Sequence, residues 1–444
     1  MFVFGETHTI SKTNKTQVLV QGEYAMKYVI LGAGPCGVNA AQTLRKNDPS
    51  CEIVLVGDEP ELPYSRMAIP YLLVGNIEEE GTHLKRSNDF YAENKITLRQ
   101  NRADNVDTVH KTVTLCNGDV ESYDKLLIAT GSRPVKPPIE GLNQKGVHHC
   151  WTLEDARKII ELAHEGAHVV LLGAGFIGCI ILESLALRNV NLTVVEMGDR
   201  MVPRMLDENA GNMLKDWCEK KGVSVHTNTK ITKLEPNAAD GEDTLLVDLD
   251  NGHQVPAHLV VVAAGVAPNV DFVDAAQVKR ESGILINQNM MTTAPDVFAA
   301  GDVAQGLDFS TGGMSVHAIQ PTATDHGRIA ALNMLGRETA YKGSLVMNVL
   351  DTLGLISASF GLWDGVEGGD QAMFLDKENN RYTRLEFDGD YLVGAQMVGR
   401  TDHVGVLRGL IQSRINLSSW KEKLKKDPNR IMEAYLACTQ LNAS

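Results

Sequence analysis

A glycine-rich pattern that occurs twice constrains the fold of this chain more than any other feature of its sequence. In the first copy, the apolar run Tyr28–Leu31 is followed by the turn Gly32-Ala-Gly-Pro-Cys-Gly37 and by a helical segment over 38–46. The helix leads to a second apolar run over 53–56 and then to the acid Asp58. Strand, glycine turn, helix, strand and acid in this order predict a βαβ unit that binds a dinucleotide.

The second copy repeats the same order in the middle of the chain. The apolar run Val169–Leu172 precedes Gly173-Ala-Gly-Phe-Ile-Gly178, and a helical segment over 179–188 follows. The next apolar run, over 192–195, ends directly before Glu196. The chain is therefore predicted to bind two nucleotides, one at each unit.

The three glycines of such a turn serve different purposes. Gly32 allows the tight turn, Gly34 lets the backbone approach a pyrophosphate, and Gly37 lets the helix pack closely on the strand. The positive end of the helix then faces the phosphates. In the second copy the same functions are predicted for Gly173, Gly175 and Gly178.

The acid of the second unit predicts which nicotinamide cofactor binds there. A carboxylate at the position of Glu196 binds a ribose 2′-hydroxyl and repels a 2′-phosphate. NADH is therefore expected in preference to NADPH. Arg200 is close enough in sequence to weaken that preference.

Composition excludes several other classes of protein. The formal charge of −14 disfavours non-specific binding to nucleic acids or anionic membranes. The uncharged stretch over 169–182 is shorter than the ~20 apolar residues of a membrane span. The seven cysteines are dispersed, which favours a reducing cytoplasm over a disulfide framework. His148, His149 and Cys150 adjoin without further ligands at metal spacing, so no metal site is predicted.

The order of the patterns divides the chain into segments. Met26 is taken as the natural start, which makes residues 1–25 an N-terminal extension. The remaining segments are a first dinucleotide-binding domain in two parts (26–145 and 271–338), a second one inserted between them (146–270), and an α+β domain (339–444). In the last segment we expect strands over 346–350, 356–360, 382–387 and 391–398, and helices over 403–413 and 419–425.

Five motifs together resemble those of the FAD-dependent pyridine nucleotide–disulfide oxidoreductase superfamily. The similar branch contains NADH oxidases, coenzyme A disulfide reductases, rubredoxin reductases and ferredoxin reductases. The motifs are the two glycine turns, Leu62-Pro-Tyr-Ser-Arg66, Ala129-Thr-Gly131 and Thr293-Ala-Pro-Asp-Val-Phe-Ala-Ala-Gly-Asp302. They cover about residues 26–340 in the family's order. The resemblance implies an α/β fold with two Rossmann-like domains, the NAD domain inserted in the FAD domain, and a C-terminal interface domain that favours a homodimer.

The resemblance also implies where FAD lies. Asp58 would bind the adenosine ribose, and Arg66 would lie against the flavin nucleotide. Thr130 and Gly131 would line the FAD site where the chain leaves for the NAD domain. Asp302 would bind the ribityl or pyrophosphate region.

Two further features would act on the flavin itself. The helix that starts near Pro321 would direct its positive end at the flavin and stabilise the reduced anion. Phe176 would be an aromatic gate that nicotinamide displaces, with ordinary core packing as the alternative. His317 would approach the flavin or serve only as a hydrogen-bonded structural residue. The remaining cofactor-binding candidates from these motifs and strand ends are Pro35, Ile177, Gly265 and Gly301.

Two departures from the family's pattern bear on the chemistry. Met67 falls where the thiol-using branches have a redox cysteine, and a thioether cannot form a thiolate. Neither Cys36 nor Cys51 takes its place in the sequence. Ile180 stands where the family often has a glutamate near the nicotinamide, so the nicotinamide must be oriented by other groups.

The expected activity is transfer of a hydride from NADH to FAD and of electrons from the flavin to an acceptor without a cysteine relay. A small redox protein, a quinone-like compound or O₂ would each suit as the acceptor. The alternatives are a thiol or disulfide reductase that uses an atypical cysteine, and a flavin-binding protein with little turnover. The basic run over 421–426 is expected to be a solvated helix face, with docking of an acidic redox partner as the less favoured interpretation.

Overall fold

The computed structural model describes residues 25–237 and 244–440. The expected N-terminal extension, apart from its last residue, lies outside the described residues. No helix within the described ranges is long and apolar enough to cross a bilayer.

The first part of the chain, as described over residues 25–134, contains eight strands and three α-helices. The strands are β1 Lys27–Leu31, β2 Glu52–Gly57, β3 Ile96–Gln100, β4 Ala103–Asp107, β5 Thr112–Leu115, β6 Val120–Ser122, β7 Lys125–Ile128 and β8 Ser132–Pro134. The helices are α1 Pro35–Asn47, α2 Ile69–Val74 and α3 Phe90–Glu93, with 3₁₀ turns at Arg66–Ala68 and Glu79–Thr82.

In the middle part, the residues on either side of the gap at 238–243 form nine strands and three helices. The strands are β9 Val147–His149, β10 His168–Leu172, β11 Asn191–Val195, β12 Ser224–His226, β13 Ile231–Pro236, β14 Leu245–Leu249, β15 Gln254–Ala257, β16 Leu259–Val262 and β17 Val266–Pro268. The helices are α4 Leu153–Leu162, α5 Phe176–Ala186 and α6 Glu208–Lys220.

The last part completes the first sheet and adds an antiparallel one. Its strands are β18 Ile284–Leu285, β19 Val297–Ala299, β20 Ala304–Leu307, β21 Met314–Val316, β22 Met347–Thr352, β23 Leu355–Gly361, β24 Asp370–Asp376, β25 Arg381–Asp388 and β26 Tyr391–Val398. Its helices are α7 Gln320–Met334, α8 Val404–Gln412, α9 Ser419–Lys426 and α10 Ile431–Gln440, with a 3₁₀ turn at Gly301–Val303.

Two parallel five-stranded sheets confirm the predicted α/β class. The first has the order β19-β7-β1-β2-β3, and the second has the order β12-β11-β10-β16-β9. Each glycine turn leaves a central strand, β1 or β10, at its carboxyl end, which is where ligands bind in open parallel sheets. Between the two sheets, β8 pairs antiparallel with β17, so the chain leaves and re-enters the first sheet's domain side by side. The predicted boundaries of residues 26–145, 146–270 and 271–338 stay a prediction.

The C-terminal segment forms an antiparallel sheet with the order β22-β23-β26-β25-β24. The four expected strands and two expected helices are present within a few residues of their predicted bounds. The sequence reasoning missed β24 and α10. β24 is an edge strand that exposes Met373 and Phe374, so it lacks the apolar–polar alternation that marks a half-buried strand.

Contacts between the second sheet's domain and the C-terminal sheet tie the molecule together. One continuous apolar core includes Leu73 of α2, the strand β10, and Leu350 and Tyr382 of the C-terminal sheet. Asp207, the N-cap of α6, accepts hydrogen bonds from the Tyr382 hydroxyl and from Arg384 Nη1, the latter at 3.0 Å. Arg384 also pairs with Glu386 at 2.5 Å. These largely buried groups link two domains that are far apart in sequence.

Candidate active site

A cavity of about 450 Å³ lies at the carboxyl end of the first parallel sheet and extends to the start of α5. It gathers most of the residues predicted from the sequence to bind a cofactor or to take part in the chemistry. These are Gly32, Gly34, Pro35, Asp58, Arg66, Met67, Thr130, Gly131, Phe176, Ile177, Gly301, Asp302 and Pro321.

The first glycine turn has a tightly packed side and an open side. A Cβ atom on Gly32 would lie 2.0 Å from the Ala129 carbonyl oxygen, and one on Gly37 would lie 1.9 Å from the Gly32 oxygen. A Cβ on Gly34 would meet nothing within 4 Å. Gly32 and Gly37 are therefore required by the fold itself. The open space beside Gly34, at the N-terminus of α1, fits a bound pyrophosphate.

The second turn repeats this arrangement outside the cavity. A Cβ on Gly173 would lie 2.6 Å from the Ala263 oxygen, and one on Gly178 would lie 2.1 Å from the Gly173 oxygen. Gly175, like Gly34, would carry a Cβ into open space. Gly265 has a φ of +106° just beyond β16, a backbone conformation that favours glycine.

Glu196 is buried and fixes the second turn through the backbone. One carboxylate oxygen accepts a hydrogen bond of 2.7 Å from the Ala174 amide, and the other accepts one of 2.7 Å from the Gly198 amide. Each oxygen keeps acceptor capacity for a further donor. Arg200 is held by Asp199 and by the Leu206 carbonyl, so its guanidinium is already paired.

Arg66 lines the cavity as the centre of a polar network. Its guanidinium forms an ion pair of 2.5 Å with Glu59 and donates at 3.0 Å to the Tyr64 hydroxyl. It also donates at 2.5 Å to the Trp151 carbonyl and stacks over the indole at 5.1 Å. Asp58, the acid predicted to bind a ribose, is exposed at the rim. The sequence reasoning missed Glu59, although it follows Asp58 directly.

Asp302 is held in the wall of the cavity. Ser132 Oγ donates to its carboxylate at 3.1 Å, and burial raises the pKa of this carboxyl. The preceding residue, Gly301, has a φ of +75° and donates its amide to His326 Nδ1 at 3.3 Å. Burial lowers the pKa of His326 to about 4, so its ring is neutral and Nδ1 can accept that bond. His326 supports the turn and was not singled out from the sequence.

Thr130 and Gly131 lie where the chain leaves the first domain. Thr130 Oγ1 donates to the Asn269 carbonyl at 2.9 Å, and the Asn269 side chain donates back to the Thr130 carbonyl at 2.9 Å. Gly131 has a φ of +65°, and a Cβ there would meet nothing within 4 Å. The crossing point between the domains is therefore fixed by two hydrogen bonds and leaves space on the cavity side.

Helix α7 presents its N-terminus to the cavity. Gln320 and Pro321 open the helix, and Ser65 Oγ donates to Gln320 Oε1 at 2.6 Å. Because α7 has 15 residues, the partial positive charge at its start is fully developed. An anionic or electron-rich ring edge would be stabilised there.

At the other end of the cavity, Phe176 opens α5. Its ring is half-buried and contacts the apolar core, so it both lines the cavity and packs in the ordinary way. Ile177 and Ile180 line the same wall. This wall is apolar at Ile180, where the resembling family often has a glutamate.

Cysteine thiols near the cavity are in apolar surroundings. Three sulfur-containing side chains line the cavity. Met67 is 47% exposed and carries a thioether, and Cys36 and Cys150 carry thiols. Burial raises the pKa of Cys150 to about 12, and it also raises the pKa of Cys36. Cys51 lies elsewhere, with a pKa raised to about 11. Sequence reasoning missed Cys150 as a cavity residue, because it is distant in the sequence from the glycine turn.

The weaker candidates are accounted for by structural contacts. His317 bonds to Ser315 at 2.8 Å and lies 3.7 Å from Asp308, away from the cavity lining. His149 bonds to the Val262 carbonyl at 3.1 Å. Within the described ranges, no group of three or more His, Cys, Asp or Glu side chains could hold a metal ion.

Comparison with known proteins places the chain among pyridine nucleotide-linked oxidoreductases. A family model described as pyridine nucleotide-disulphide oxidoreductase matches residues 26–326. The chain is 33% identical over 408 residues to the NADH-dependent phenylglyoxylate dehydrogenase subunit epsilon of Aromatoleum evansii, which covers 90% of this chain and 95% of that protein. It is 30% identical over 325 residues to an NADH oxidase of Methanocaldococcus jannaschii, covering 71% of each.

Two solved structures share the fold over most of this chain. An NAD-dependent persulfide reductase from A. fulgidus is 28% identical, with a TM-score of 0.81, and covers 89% of this chain and 78% of its own. The putidaredoxin reductase in a covalent complex with putidaredoxin has a TM-score of 0.85 over 94% of this chain and 100% of its own. At 23% identity, the latter likeness concerns the fold alone.

Proposed function

The chain belongs to the pyridine nucleotide-disulphide oxidoreductase family and is an NAD(P)H-dependent FAD oxidoreductase, and from that premise we propose that it delivers electrons from its flavin directly to an acceptor, without a cysteine. The observation that carries this proposal is the set of sulfur groups at the cavity. Met67, which the sequence motif aligns with the family's redox cysteine, lines the cavity, and the thiols Cys36 and Cys150 there have raised pKa values. Thiol exchange needs a thiolate, which these surroundings disfavour.

FAD would be held by the first glycine turn, the Arg66 network and the Ser132–Asp302 pair. Bound FAD supplies a carrier that accepts a hydride from a dihydronicotinamide and releases its electrons singly or in pairs. Gly34 leaves room for the pyrophosphate, and Asp302, which is fixed by Ser132, would accept hydrogen bonds from the cofactor. The N-terminus of α7 stabilises negative charge that develops nearby.

NADH would be held by the second glycine turn. Gly175 leaves room for its pyrophosphate, and the remaining acceptor capacity of Glu196 suits a ribose 2′-hydroxyl. Phe176 lines the cavity at the N-terminus of α5, where its ring would exclude water until the nicotinamide ring takes its place. Proximity and orientation then supply most of the rate, so no side-chain acid or base is needed.

Similarity to one relative supports a second version of this proposal, in which the chain works together with a redox partner. The dehydrogenase protein of Aromatoleum evansii is named as a subunit, and the likeness covers 95% of its length. We infer that this chain also works with a redox partner, either as a subunit of a larger dehydrogenase or as a separate reductase. The partner rather than this chain would then select the substrate.

The test is an anaerobic NADH titration of the holoprotein, followed by reduction of a quinone acceptor. We expect one two-electron equivalent per FAD and no long-wavelength thiolate–flavin band. A chain with Cys36→Ala, Cys51→Ala and Cys150→Ala should keep both the stoichiometry and, within about twofold, the rate. The matched control replaces Cys179 and Cys218, which are buried in the second domain.

The pH dependence gives an independent check. Because burial raises the Cys51 and Cys150 pKa values to about 11 and about 12, the thiolate fraction would grow as the pH rises toward them. A thiol-dependent reaction would therefore accelerate steadily from about pH 7 to about pH 9. We expect no such rise. Uptake of a second electron pair that disappears only in the triple variant would refute the proposal.

A further inference from the structure

A second cleft, of about 320 Å³, lies beside the cavity on the other side of the α7 N-terminus. It is bounded by α7, by the segment over 340–345 and by α8. Ile319, Pro321 and Met347 line both the cleft and the cavity. The cleft and the cavity therefore share a wall, which lies where the N-terminus of α7 meets the cavity.

The cleft is basic in a strongly acidic chain. Arg328, Lys342 and Arg408 line it, and among the described lining residues Asp325 alone carries a carboxylate. Within the described residues, the side chains of Arg328 and Lys342 have no ion-pair or hydrogen-bond partner, and Arg408 bonds only to the neutral Gln412 at 3.0 Å. In a chain with a net charge of −14, this is a local excess of positive charge.

Three of the four lysines in the basic run over 421–426 already have a partner. Lys421 and Lys425 both bind Asp370, at 2.5 Å and 3.1 Å. Lys423 lies over the Trp420 ring at 4.0 Å. The run over 421–426 therefore has less free positive charge to offer a partner than the cleft does.

From these contacts, and resting on the proposed function, we propose that the cleft is the docking surface for an acidic one-electron redox protein. The three cations are exposed at the mouth of an open cleft, so they suit carboxylates on a protein surface better than an enclosed small anion. Val349, which is 50% exposed, lines the neighbouring cavity and offers an apolar contact there. Docking there brings the partner against the shared wall.

The stoichiometry is balanced by two dockings per turnover. NADH loses two electrons and one proton to become NAD⁺, and two molecules of oxidised partner take one electron each. The proton is released to water. Electrostatic steering by such a patch accelerates association at low ionic strength by 10-fold to roughly 1,000-fold.

The experiment uses the holoprotein with oxidised rubredoxin as the acidic probe and cytochrome c as a basic one. The test variant carries Arg328→Glu, Lys342→Glu and Arg408→Glu. The matched control carries Lys220→Glu, Lys230→Glu and Lys377→Glu, which make the same change in net charge at exposed positions outside the cleft. Flavin reduction by NADH and turnover with a neutral quinone are measured in every protein.

We expect the wild type to reduce rubredoxin faster than cytochrome c at low ionic strength. The test variant should lose at least about tenfold in kcat/KM for rubredoxin, and the loss should shrink in high salt. The control variant should change little, and quinone turnover should be unchanged in both. Equal losses in the two variants, or a wild type that favours cytochrome c, would overturn the docking surface. Failure of NADH to reduce the wild-type flavin would instead refute the proposed function.

Discussion

The Glu196 carboxylate both holds the second glycine turn and presents a negative charge to a bound cofactor. Both of its oxygens already accept backbone hydrogen bonds, from Ala174 and Gly198. The negative charge is therefore part of the turn and also faces any group bound beside it. A 2′-phosphate brought to this position would meet an anion that cannot move away.

At this residue we predict the effect of Glu196→Gln. The charge is lost while the shape is kept, so the preference for NADH over NADPH in kcat/KM should fall by about tenfold, which corresponds to ~1.4 kcal/mol. One backbone amide loses its acceptor, at a cost of ~1–3 kcal/mol in stability. Steady-state kinetics with both cofactors measure the preference. Glu219→Gln, on the exposed face of α6, is the control, and an unchanged preference in Glu196→Gln would show that another residue selects the cofactor.

Residue identities at the cavity could be predicted only where a motif marks them. Gly32, Gly34, Asp302 and Met67 stand at fixed positions in recognisable patterns, and the structure brings these four to one cavity. Glu59, Cys150 and His326 belong to no such pattern. Their positions depend on how the loop over 59–66 meets the start of the second domain and on how α7 packs behind Gly301, which are tertiary contacts.

Substitutions in the glycine turns can separate an effect on cofactor binding from an effect on the stability of the fold. Gly34 has a φ of −78° and an open space where a Cβ would lie, so alanine is compatible with the turn. We predict that Gly34→Ala keeps the melting temperature of the apoprotein but loses FAD, because the methyl group occupies the space beside the helix N-terminus. Gly37→Ala should instead destabilise the fold, because its Cβ would lie 1.9 Å from the Gly32 oxygen.

FAD content and thermal unfolding of the apoprotein measure the two effects. Gly175→Ala is the matched variant in the second turn, and it should raise the KM for NADH without loss of FAD. A Gly34→Ala protein that retains FAD as the wild type does would mean that the pyrophosphate lies elsewhere.

Elements with a strong period or a marked turn were predictable from the sequence. The helices after both glycine turns are confirmed, although they begin at Pro35 and Phe176, about one turn earlier than predicted. Proline at the first helical position is common because its missing N–H has no partner there. The bounds of β24 could not be predicted, since its pairing with β25 rather than its own pattern makes it a strand.

At the scale of the whole molecule, a buried ionic network joins the second domain to the C-terminal sheet. Arg384 lies between Asp207 and Glu386, and all three side chains are largely buried. The Trp217 indole adds a hydrogen bond of 3.1 Å to the Leu353 carbonyl. These contacts could not be predicted from sequence, because no local pattern relates α6 to β25.

We predict that Arg384→Met destabilises the protein by ~3–5 kcal/mol, because two carboxylates remain buried without their cation. Denaturant unfolding of the holoprotein measures the change. Arg381→Met, at an exposed position on the same strand, should cost little. A loss for Arg384→Met no greater than that for Arg381→Met would mean that the network does not hold the two domains together.

The first sheet is built from strands that are made at very different times. β7 pairs with β1 on one side, while its other neighbour, β19, is synthesised only after the whole second sheet. On the ribosome, the nascent chain can therefore finish the inserted domain while the host sheet still has β7 as an unprotected edge. Such edges invite pairing with other chains. The inserted domain can therefore fold before the first sheet is complete. A pause in translation between β17 and β19 would prolong the interval in which the edge of β7 is exposed and the protein is most prone to aggregate.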